Sequence, residues 1–115
     1  MGAVGFLLLY PLKRWSQTPS PLFRLPNQEW VFLFDILTSA ATPGPDSNFV
    51  ARMLSRNRTL YDKAFAAGGT RYPIGAIPFE QRDWVNHYGE QWQQFVSAKR
   101  RFDPSSILTP GPGIF

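Results

Sequence analysis

Residues able to do chemistry are few in this chain, and they do not cluster. The carboxylates are Glu29, Asp35, Asp46, Asp62, Glu80, Asp83, Glu90 and Asp103. No two of them fall as a spaced pair on one predicted face, so two-carboxylate acid–base catalysis is not signalled. Asp35, set inside the apolar run Trp30–Leu37, is the one candidate general base. No second catalytic group stands beside it, so an aspartate that faces solvent or pairs with an arginine is the better explanation. His87 is the single histidine, and there is no cysteine. A lone imidazole between Trp84 and Tyr88 reads as a hydrogen-bonded structural residue, and a metal centre lacks its ligands. None of the serines sits in a Gly-x-Ser-x-Gly elbow, and no glycine-rich loop is built to cradle phosphate. Gly68-Gly69 and Gly111/Gly113 are turn glycines.

The elements that would position these groups follow from periodicity. Ala3–Tyr10 is a continuous apolar run ending at Pro11, the pattern of a central strand covered on both faces, with Gly5 marking a close approach or a bend. With no basic residue before it and no cleavage site after it, the run is no signal peptide, and it is too short to span a bilayer. The compartment stays open, cytoplasmic by default. Residues 11–27 carry four prolines and form a long loop. Glu29–Thr38 predicts a second strand, with Trp30, Phe32, Phe34 and Ile36 on one face and Val31, Leu33, Asp35 and Leu37 on the other. Asp46 or Ser47 caps a helix over about 47–67 that stops at Gly68-Gly69. Its buried stripe is Phe49, Val50, Met53, Leu54, Leu60, Tyr61, Ala64 and Phe65, with Arg52, Arg56, Arg58 and Lys63 facing out. Thr70–Ile77 reads as a short third strand on which Tyr72, Ile74 and Ala76 share a face.

The chain of 115 residues is 43% hydrophobic and 16% aromatic, enough for one core, while eleven prolines and nine glycines imply long irregular connections. The net charge of +4 is scattered except at Lys99–Arg101; it favours solubility and contact with anions in general and is no evidence for nucleic acid. The order of elements is α+β, a partial antiparallel sheet with flanking helices. Three strands with open edges read as part of a larger sheet, and the chain as a fragment.

The last third is the most informative. Trp84, Tyr88, Trp92, Phe95, Val96 and Phe102 recur at helical spacing and define one aromatic face. Lys99, Arg100 and Arg101 fall in the last helical turn, where cations complement the helix dipole. Asp103-Pro104 then caps a short turn through Ile107-Leu108. Thr109–Gly113 forbids regular structure, and the terminal Ile114-Phe115 needs apolar cover.

This order of motifs, Trp84-Val85-Asn86-His87-Tyr88-Gly89, Trp92, Lys99–Pro104, Ile107–Gly111 and Ile114-Phe115, resembles the C-terminus of cytokinin dehydrogenases. These are FAD-dependent amine oxidoreductases of the vanillyl-alcohol-oxidase superfamily. Tyr10-Pro11-Leu12-Lys13 is similar to a strand exit of the same family. The resemblance implies that residues 1–78 form the end of a substrate (cap) domain, and that helices and tail over 79–115 pack on an FAD domain. It implies hydride removal from N6-alkylated adenines, with the catalytic aspartate, the flavin-linking histidine and most FAD contacts in a separate N-terminal portion. That portion is the implied partner, and neither nucleic acid nor membrane is. Two cofactor contacts would fall here. The family's flavin-side tyrosine aligns with Ile74 in register, with Tyr72 two positions away. The terminal Pro-Gly-Gln loop aligns with Pro110-Gly111-Pro112, where Pro112 cannot supply the glutamine's side-chain hydrogen bond. Without its FAD-binding half the chain is expected to be inactive and to retain no flavin. The competing reading is a stand-alone basic module that binds nucleic acid or an acidic partner through Lys99–Arg101 and exposed aromatics.

Overall fold

A computed structural model describes residues 4–14, 23–108 and 112–115. Strands β1 (Val4–Lys13) and β2 (Trp30–Ser39) pair antiparallel, followed by helices α1 (Ser47–Ala66), α2 (Gln81–Tyr88) and α3 (Trp92–Phe102). The architecture is α+β, as the order of patterns predicts. The register sets Leu7 against Ile36, Leu9 against Phe34 and Pro11 against Phe32. Pro11 therefore lies within β1 and does not end it. A two-stranded ladder draws N–H groups from alternate residues only, so a proline is tolerated in either strand. Gly5 is a close approach: an added Cβ would lie 2.2 Å from the Leu37 carbonyl oxygen.

The central-strand reading of β1 does not hold within this chain. Phe6, Leu7, Leu9 and Tyr10 are all more than half exposed, as are Trp30 and Phe32 of β2. Among the sheet's hydrophobic residues whose burial is described, only Val31 is buried. The radius of gyration, 16.4 Å, exceeds the roughly 13 Å of a compact domain of this length, consistent with a sheet that is not folded onto the helices.

Helix α1 starts where its cap residue demands. Asp46 accepts a hydrogen bond from the Phe49 N–H at 2.8 Å, and Gly68 ends the helix at φ +86°. Asp46→Ala should destabilise the chain by about 1 kcal/mol, measured by urea unfolding, and leave the far-ultraviolet spectrum unchanged at 25 °C. The stripe is only partly covered, since Val50 and Phe65 are exposed. Arg56 and Arg58, expected to face solvent, instead attach the helix to its neighbours. Arg56 donates to Thr38 Oγ1 of β2, and Arg58 forks onto Asp83 of α2 at 2.8 and 3.2 Å.

The third strand expected over 70–77 does not form. Pro73 lacks a donor, and Arg71 Nη2 takes the Gly75 carbonyl at 2.9 Å, so the segment bends instead of pairing. Asp83 accepts from the Glu80 N–H at 2.9 Å and opens α2. A one-turn 3₁₀ segment, Gly89–Gln91, joins α2 to α3, with Gly89 at φ +51° and Arg24 Nη1 donating to the Tyr88 carbonyl at 2.6 Å. Among the described residues no helix is long and apolar enough to cross a membrane.

Candidate functional site

The densest part of the molecule is an aromatic column raised by α2 and α3. Trp84 is fully buried and Tyr88 nearly so, because positions four apart on α2 fall on the same side and stack, their centroids 6.0 Å apart. Phe79 meets Trp84 edge-on at 4.9 Å and Tyr61 of α1 at 4.8 Å. Tyr88 continues to Phe95 at 4.9 Å and to Trp92 at 6.3 Å. Phe115 stacks on Trp92 at 5.7 Å and leans on Phe95 at 5.0 Å. The tail thus finds part of its apolar cover on α3, not only on a separate domain as the resemblance implies. Phe102, grouped with the stripe by spacing, is 76% exposed, since the last turn of α3 runs past the column.

Into this column the fold inserts a cation. Arg71 is 2% exposed, its guanidinium carbon 4.2 Å from the Phe79 ring centre and 4.4 Å from that of Trp84. Burial weakens its hold on the proton, though an arginine stays charged in any usual range. His87 is buried among Phe79, Trp84 and Tyr88, and its Nε2 has no hydrogen-bond partner. Burial, and then the positive fields of Arg24 and Arg71, push its pKa down to about 4, so the ring is neutral near pH 7. The arrangement is that of a core imidazole, though its Nε2 lacks the hydrogen bond expected of it. Asp83 is held below the usual carboxylate range first by its hydrogen bonds from Arg58. Asp35 is exposed on β2 opposite Leu8, which fits the reading of an aspartate that faces solvent.

Tyr72 and Ile74, which the resemblance aligns with a flavin contact, lie on irregular backbone. Tyr72 is 40% exposed and meets Phe23 edge-on at 5.4 Å, while Ile74 stands 80% exposed at the bend. Their shared strand face does not exist, because the strand does not. Pro112 is exposed in a turn of the tail, and Gly111 lies outside the described residues. Among the described residues nothing is shaped to hold a pyrophosphate.

Asp103, expected to open a new turn, both ends α3 and holds the turn that follows. It is buried, pairs with Lys99, and accepts from the Ile107 and Leu108 N–H groups at 2.8 and 3.3 Å. The Lys99 bond first, and then the two backbone N–H groups, lower its pKa. Beside it a shallow cleft of about 420 Å³ is lined by Trp92, Val96, Lys99, Arg100 and Phe115. No group of three or more potential metal ligands occurs among the described residues.

Arg71 and its cage were not legible in the sequence, where Arg71 is one of several scattered cations. The available signal was its place as the only charge between Lys63 and Glu80, in a segment rich in Gly, Pro and aromatics.

Comparison with known proteins is consistent across the chain. The family described as "Cytokinin dehydrogenase 1, FAD and cytokinin binding" matches residues 1–115. An uncharacterized oxidoreductase of the fasciation locus of Rhodococcoides fascians is 38% identical over 96% of this chain and 24% of its own length. Cytokinin dehydrogenase 5 of Arabidopsis thaliana is 30% identical over 96% of the chain and 21% of its own. Cytokinin dehydrogenase 3 of Oryza sativa subsp. japonica is 32% identical over 96% and 22%. The chain therefore spans between a fifth and a quarter of the length of these relatives.

Proposed function

This chain belongs to the cytokinin dehydrogenase FAD- and cytokinin-binding family, and from that premise we propose that it forms the C-terminal part of an FAD-dependent oxidoreductase. Its substrate class is the N6-alkylated adenines, and its partner is a flavin-binding portion within the length of the relatives that this chain does not cover. Residues 1–78 belong to the substrate domain and residues 79–115 to the helices and tail that return to the flavin domain. Bound FAD supplies the hydride acceptor. This chain's share would be to position: Tyr72 and Ile74 would border the flavin ring, and at Gly111 and Pro112, where the family has a glutamine, either the backbone would take over the cofactor contact or the contact would be lost.

The observation that carries this reading is the match over the whole chain, and the exposed sheet fits it. Exposed apolar side chains on β1 and β2 suit a sheet whose faces are covered by further parts of a larger protein. Arrangement of the aromatics into a column argues against the basic-module reading, because the rings a nucleic acid would stack on are partly consumed within the core.

Two measurements test the reading. The purified chain should lose all flavin absorption on desalting; a band that survives would mean the chain holds FAD unaided. A chimera in which residues 1–115 replace the matching part of the Arabidopsis relative should retain flavin and oxidise an N6-alkyladenine. A folded, flavin-loaded chimera that leaves every such substrate untouched would overturn the assignment.

A further inference from the structure

We propose that Arg71, caged between Phe79 and Trp84, is the receptor for one oxyanion, a carboxylate or phosphate group supplied from outside the described residues. The inference is independent of the flavin reading. Arg71 spends one donor on the Gly75 carbonyl, while its Nε and Nη1 are buried without acceptors. Trp84 Nε1 and His87 Nε2, in the same cluster, are also buried and unpartnered. All three residues are at least nine-tenths buried. Native interiors rarely leave such donors unmatched, and a buried guanidinium without an anion is the costliest case.

The chain's own carboxylates do not meet this need. Asp83 is engaged by both Arg58 nitrogens and the Glu80 N–H, and Asp62 pairs with Arg58 as well. Arg58 also lies 5.6 Å from the Phe79 ring that Arg71 covers. Among the described residues Arg58 is paired with Asp62 and Asp83, Asp83 is the carboxylate that acts on Arg71, Arg24 donates to the Tyr88 carbonyl, and ring faces offset a cation weakly. Nη1 brings two N–H groups, Trp84 Nε1 donates only, and neutral His87 donates from Nε2 in one tautomer. These donors match the lone pairs of an oxyanion. Entry breaks no backbone ladder, because residues 70–79 are held by side-chain bonds: Thr70 to Arg24, Asn57 to Ala76 and Arg58 to Pro78.

The test is thermal melting of the chain at pH 7 in chloride, acetate and phosphate at equal ionic strength and millimolar anion. An oxyanion should raise the Tm by several degrees over chloride. Arg71→Met should abolish that rise, and in chloride should melt no lower than the unmutated chain. A rise with acetate alone identifies a protein carboxylate as the natural group; a rise with phosphate identifies a free phosphate-type anion. No rise with either, or a rise that survives Arg71→Met, overturns the proposal. Should Arg71→Met fail to fold, the Arg71 Nε–H resonance of the unmutated chain decides: it should shift and saturate with the anion, and an unmoved resonance overturns the proposal.

Discussion

Trp84→Ala should cost about 3–5 kcal/mol and leave the chain largely unfolded near physiological temperature. Trp84 is, with Tyr88, one of the two largest fully buried side chains among the described residues, touching Phe79 and His87 edge-on, Tyr88 face-on and the Arg71 cation. Its removal opens a cavity that α2 cannot collapse into, since Arg58 and Arg24 fix that helix near its two ends. It also strips one wall from a buried charge. Trp92→Ala, on the half-buried upper part of the column, should cost less. Urea unfolding of both variants checks the order. Near-wild-type stability of Trp84→Ala would mean that the column is not the core.

Acid should unfold the chain through His87 before its carboxylates contribute. The folded-state pKa, about 4, lies below the ordinary 6.5, so between these values the unfolded chain takes up a proton that the folded chain refuses. Stability is therefore complete above about pH 6.5 and falls as pH drops towards 4, by about 3 kcal/mol in all. Asp83 and Asp103 have lowered pKa values, so their stabilisation is lost only at still lower pH. A stability profile from pH 7.5 to 4 should slope in the unmutated chain and flatten in His87→Gln. A flat profile in the unmutated chain would show that His87 is solvated.

What was legible in the sequence was what neighbouring residues decide. Asp46 and Gly68 bound α1 by local chemistry, and the Trp84–Tyr88–Trp92 spacing gives a stacked face wherever the helices lie. The third strand failed because alternation of Tyr72, Ile74 and Ala76 is only half of a strand's signal; the other half is a partner with free donors and acceptors. Arg58 and Arg71 were hidden because residue type alone places arginines on surfaces. Arg58 finds its carboxylate 25 positions away, and Arg71 finds ring faces supplied by Phe79 and Trp84. Tyr72, Ile74 and Pro112 were singled out only through resemblance, as nothing in their type or spacing signals a cofactor.

The open sheet carries a hazard of its own. Phe6–Tyr10 and Trp30–Phe34 are uncharged, proline-free β-formers with outward edges, the composition from which cross-β aggregates nucleate. Each is bounded by a residue that opposes such stacking: Pro11 and Lys13 beyond the first, Asp35 beyond the second. In-register copies would bring Asp35 carboxylates within about 5 Å of one another along a fibril. The residue that first suggested a catalytic base is thus placed as a gatekeeper against self-assembly, and Asp35→Val would be expected to shorten the lag before fibrils form.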